Sequence, residues 1–94
     1  MLPKPSIAIV IEHEQVKEVI FQDWPSQVLL PRIAVVDYDI KGVIDPEITR
    51  FPVGNCLAEA ICYSASPVIH DPGDSTLSPN AVLAAMNESG NLTD

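Results

Sequence analysis

No apolar stretch in this sequence outlasts a β-strand. Residues 7–11 (IAIVI), 16–21 (VKEVIF) and 33–36 (IAVV) each stop within a few positions at a turn former, an acid or a proline. A packed helix needs roughly ten or more residues with apolar side chains every three or four positions, and a membrane span needs about 18 apolar residues in a row. The first 70 residues offer neither pattern clearly. Their apolar positions are dominated by Ile and Val, whose branched side chains suit a pleated, half-buried surface. Nine prolines punctuate the chain and discourage long helices. The fold class that follows is mainly β or α+β: a small antiparallel or mixed sheet with a short C-terminal helix or disordered tail.

At 94 residues the chain has the size of one domain. A chain this short buries only about 60–65% of the surface it exposes when unfolded, so its core is thin and a subunit interface would add useful stability. A hydrophobic content of 47% argues against global disorder. Aromatics are few, which leaves the core to Ile, Val, Leu and Ala.

Along the chain, residues 7–11 and 16–21 flank a short polar break at His13-Glu14 and predict a hairpin over 7–21. A helix over 14–22 is the competitor, since Val16, Val19 and Ile20 also fit its period; the short length and β-branching favour the strand. Residues 28–30 offer a short edge strand between Pro25 and Pro31. Residues 32–38 give the clearest strand, and their unbroken apolarity predicts the centre of a sheet with both faces covered. A loop follows at 40–47. Residues 48–51 alternate and stop at Pro52, Gly54-Asn55 marks a turn, and 56–63 reads as a strand although its alanines and Glu59 also suit a helix. Residues 68–70 supply a last short strand. The domain division is therefore 1–70 as one β-rich unit and 71–94 as polar linker with a short helix or disordered tail. Ser78-Pro79 has the form of an N-cap and first helical residue. Two turns over 80–87 would put Val82, Leu83 and Met86 on one face and end at Gly90. Alone such a helix is too short to persist, so the expectation is fraying.

Five basic against thirteen acidic residues give a net charge of −8. Phosphate-binding surfaces cluster Lys and Arg. Here Lys4, Lys17, Arg32, Lys41 and Arg50 are scattered singly, which excludes direct nucleic-acid binding and favours a protein partner with a basic surface. No membrane segment or export signal is recognisable, and a cytoplasmic setting is expected. Cys56 and Cys62 stand about 20 Å apart on a strand and point about 120° apart on a helix, so free, buried thiols in a reducing compartment are expected.

Asp37-Tyr38-Asp39 at a strand end resembles the nucleophile loop of haloacid-dehalogenase-type phosphohydrolases. That chemistry also needs a Ser or Thr, a Lys and further acids on a large doubly wound sheet, which this chain lacks. Asp37, Asp39, Gly42, Ile44 and Asp45 also stand at spacings that resemble an EF-hand loop, but Lys41 occupies a ligand position and Ile48 stands where the bidentate Glu belongs. His13 and His70 lie outside metal-ligand spacing of the cysteines. The chain is therefore expected to be no enzyme, with no cofactor and no metal. The candidate binding residues are Asp37, Asp39, Asp45 and Glu47, with Trp24 as an apolar anchor.

Residues 7–63 resemble small acidic proteins of bacterial mobile elements: an apolar first strand, a second strand after a short turn, and a third ending in Val35-Val36-Asp37-Tyr38-Asp39 with Gly42 beyond. The resemblance carries no catalytic residue across. Small acidic proteins of such elements include inhibitors of host defence, among them anti-CRISPR proteins. The resemblance itself implies no activity; the expected function is a non-enzymatic acidic binding protein, in its sharper form an inhibitor of a host nucleic-acid-handling complex. The alternatives are a small metal- or cysteine-dependent enzyme and a structural homo-oligomer. Unpaired sheet edges in so small a body predict a homodimer by edge pairing or face packing.

Overall fold

A computed structural model describes residues 3–73 and 76–88. Strand β1 (Ser6–Glu12) and strand β2 (Gln15–Gln22) form the expected hairpin, joined by the two-residue turn His13-Glu14. Both turn residues have positive φ, 54° and 64°, the geometry of a type I′ connection. The register slips between Val10 and Ile11, where Lys17 is the extra residue of β2. Strand β3 (Ile33–Asp37) follows a loop rich in proline. A single 3₁₀ turn at Asp45–Glu47 leads into strand β4 (Thr49–Val53), which returns through Gly54-Asn55 as strand β5 (Cys56–Ala65). Gly54 takes a φ of +61°, which glycine adopts without steric cost. Ser66 alone separates β5 from strand β6 (Pro67–Ile69), so residues 56–69 make one nearly continuous strand that serves two sheets.

The first sheet has the order β1-β2-β6, with β6 parallel to β2; the second has the order β3-β5-β4 and is antiparallel throughout. The backbone N–H of Val16 donates to the Tyr63 hydroxyl at 2.9 Å and ties β2 to β5 where the sheets meet. The buried apolar core is Val19, Ile20 and Phe21 on β2 with Ala60 on β5, the two central strands. Three consecutive buried residues on β2 mean that both faces of its C-terminal half are covered. Trp24 packs its ring edge on Phe21 at 5.1 Å between centroids and donates Nε1–H to the Val28 carbonyl at 2.9 Å, closing the loop after β2 over the core.

Helix α1 (Pro79–Glu88) is formed and docked, where fraying was expected. Ser78 caps it through Oγ, which accepts the Ala81 N–H at 3.1 Å, with Pro79 buried at the first helical position. Gln22 Oε1 accepts both the Ser78 hydroxyl at 2.8 Å and the Asn80 N–H at 2.9 Å. Asn80 in turn donates Nδ2–H to Asp23 at 2.9 Å and accepts from the Ser6 hydroxyl. These bonds supply from 56 residues or more away the free energy that ten residues of helix lack on their own. They also fix which face α1 covers, the one to which Ser6, Ala8, Val10, Ile20 and Gln22 point. Gly90, expected to end the helix, lies outside the described residues.

Several expectations need correction. β3 is an edge strand and not a sheet centre, with Ala34 and Val36 exposed. The unbroken apolar run predicts two covered faces, but the face that carries Ala34 and Val36 has no covering layer and stays open to solvent. Residues 28–30 form no strand, and Leu29 is 90% exposed. Pro52 lies within β4 instead of ending it. β4 is an edge, where a missing N–H leaves no ladder bond unmade. Cys56 is exposed, not buried; both cysteines are free, and their even spacing on β5 turns them to one face.

Candidate functional site

The hairpin turn brings His13 and Glu14 up to the end of β3, where Asp37 closes the strand and Asp39 and Lys41 follow. Together they ring a recess of about 290 Å³ with an apolar floor of Val43, Ile61 and Tyr63. Each wall has a local cause. The type I′ turn is the shortest link between β1 and β2 and holds its two polar side chains at the tip. Asp37 pairs with Ile61 on β5, which places it at the floor's edge. Its Oδ1 accepts the Asp39 N–H at 2.9 Å, an Asx turn that bends the chain out of the strand. Gly42, at a φ of +79°, then reverses the chain beneath Lys41, with the Val43 N–H on the Ile40 carbonyl at 3.0 Å. Tyr63 reaches the floor from β5 with its hydroxyl held by Val16.

Three carboxylates face one ammonium and one imidazole across this recess, so its net field is negative. Asp37 is half-buried while His13, Glu14, Asp39 and Lys41 are exposed. The arrangement can hold a cationic group against an apolar floor. Lys and Arg side chains have this form, with a charged head on an aliphatic stem. Among the described residues no group of three His, Cys, Asp or Glu side chains is placed to hold a metal ion.

The residues singled out from sequence do not form one site. Asp37 and Asp39 share the recess. Asp45 instead pairs with Arg50, whose Nε also bonds Glu59 at 2.9 Å across the β4–β5 pair. In this cluster one guanidinium is shared by two carboxylates, and Asp45 first and Glu59 second raise the Arg50 ionisation above its ordinary value. Glu47 belongs to the same 3₁₀ turn as Asp45 and is exposed. Trp24 follows the far end of β2 from the hairpin turn, a strand length of about 23 Å away. It caps the core and lines a separate apolar recess with Val28, Leu29 and Ile69.

Sequence reasoning missed Glu14, His13 and Lys41 as neighbours of Asp37. The available signal was the turn itself: a two-residue hairpin aims both tip side chains past the sheet end. It also missed the exposed row of Ile7, Ile9 and Ile11, for which the signal was apolarity on both faces of a strand with only one cover in sight. Among the described residues no helix is long and apolar enough to cross a membrane. Comparison with protein-family models, with curated proteins and with solved structures finds no match for this chain in any of the three.

Proposed function

We propose that this chain is a non-enzymatic, acidic protein-binding module whose recess between the hairpin turn and the end of β3 receives basic side chains of a protein partner. The observation that carries the reading is the convergence of Glu14, Asp37 and Asp39 over an apolar floor of Val43, Ile61 and Tyr63. The net charge of −8 adds a long-range attraction for a basic surface and speeds the encounter. In its sharper form the partner is a host nucleic-acid-handling complex whose basic channel is occupied. We place the encounter in the cytoplasm, in keeping with two free thiols.

The test is affinity capture from the native host with the wild-type chain and an Asp37→Asn/Asp39→Asn variant, at about 50 mM and about 500 mM salt, which spans strong to weak screening. A basic protein retained by the wild type at low salt only, and lost with the variant, is the expected result. Capture that is indifferent to both salt and variant overturns the reading.

A further inference from the structure

β1 is the terminal strand of its sheet, and such an edge offers a row of unpaired N–H and C=O groups to another strand. Soluble proteins guard edges with Lys, Pro or inward-pointing charges. β1 carries none of these between Ser6 and Glu12. Ile7, Ile9 and Ile11 are instead 50%, 62% and 66% exposed on one face. On the other face α1 leaves an open groove of about 310 Å³ over Ala8 and Val10, walled by Val82, Leu83 and Met86. The remaining edges are less suited to pairing. β4 contains Pro52, β6 is three residues long and opens on Pro67, and β3 closes on Asp37.

We infer that β1 pairs antiparallel with β1 of a second copy of this chain, about a two-fold axis normal to the sheet and centred on Ile9. Such an axis makes the register symmetric about one residue, so like faces meet. Centring on Ile9 sets Ile7 opposite Ile11, Ile9 opposite itself and Ala8 opposite Val10. The six isoleucines then form one unbroken row under a six-stranded sheet. Small side chains at 8 and 10 leave room above the seam for the two α1 helices to meet through Leu83 and Met86. Two copies at −8 each repel at long range, and β1 is where they can meet with least repulsion: it is uncharged until Glu12, which falls opposite Ser6. The seam is apolar as well: Ile7, Ile9 and Ile11 are exposed on each copy, the kind of surface that fills the centre of a homodimer interface.

Sedimentation equilibrium of the full chain from low to high micromolar concentration tests the pairing. The wild type is expected at twice the 10.2 kDa protomer mass. Ile9→Lys sets two ammonium groups face to face on the axis and should raise the dimer Kd on the order of 100-fold. Because Ile9 is exposed in the protomer, the far-UV circular dichroism of the variant should match wild type. The register is read by crosslinking in a Cys56→Ser/Cys62→Ser background. Ile9→Cys should oxidise to a covalent dimer by itself, since residues directly opposite lie within disulfide reach. Ile7→Cys and Ile11→Cys should crosslink only when mixed. Added salt should leave the dimer unchanged or tighten it, because it screens like charges, whereas it weakens an acid–base complex. The two readings therefore fail separately. A protomer-mass species at every concentration, a dimer that survives Ile9→Lys, or crosslinking of Ile7→Cys or Ile11→Cys alone overturns the pairing.

Discussion

Replacing His13-Glu14 by Asn-Gly should raise the melting temperature. Both residues sit at positive φ, 54° and 64°. The left-handed region costs an ordinary L-residue about 1–2 kcal/mol, somewhat less for His, and little for Asn or Gly. Little is lost in exchange. The His13–Glu12 contact is 4.0 Å long between side chains that are 83% and 64% exposed, so it contributes close to nothing. Glycine gives back part of the gain through its freedom in the unfolded chain, about 0.5–1 kcal/mol. The net is a stabilisation of about 1–2 kcal/mol, which in a domain of this size moves the midpoint by about 4–15 °C. Thermal denaturation followed by far-UV circular dichroism measures it, with His13→Asn alone giving part of the shift. An unchanged or lowered midpoint refutes the strain argument. The same substitution removes two side chains from the wall of the acidic recess. The stabilised variant should therefore capture the basic partner less well, the trade expected where strain sits at a functional site.

Phe21→Ala removes the largest fully buried side chain among the described residues and should cost about 3–5 kcal/mol in urea denaturation. Against a total of about 5–14 kcal/mol for a chain of this length, the variant should lose a large share of its stability and its urea midpoint should fall sharply, and a loss below about 1 kcal/mol would contradict the assigned core. Tyr63→Phe should cost about 1 kcal/mol by leaving the Val16 N–H without its acceptor where the sheets join, and an unchanged stability would deny that tie. Arg50→Ala should leave the melting midpoint within error, because its pairs with Asp45 and Glu59 are solvent-exposed. A basic group whose ionisation is held above its ordinary value by carboxylate partners loses that contribution only as pH rises past the folded value, so this pairing should give no transition at neutral or acid pH.

What was legible in the sequence is what local chemistry decides. Polar His13-Glu14 between two β-branched runs, and Gly54-Asn55 between two others, each specify a hairpin within a few residues. Ser78-Pro79 marks a helix start because both residue types act on the backbone next to them. What was not legible depends on partners distant in the chain. α1 stays folded through Gln22 and Asp23, and no pattern over 78–88 points to either. β3 falls at an edge because β5 takes the centre, a matter of sheet order that apolarity does not encode. The candidate site divided in the same way. Asp37 and Asp39 were visible as a strand end, while their separation from Trp24 and the diversion of Asp45 to Arg50 follow from topology alone.

β1 presents an open edge that a second copy completes, and amide hydrogen exchange along it tests that pairing most directly. At high concentration, alternate amides between Ser6 and Glu12, those turned away from β2, should be protected, and dilution or Ile9→Lys should release them. Exchange of those amides at the free rate at every concentration would contradict it.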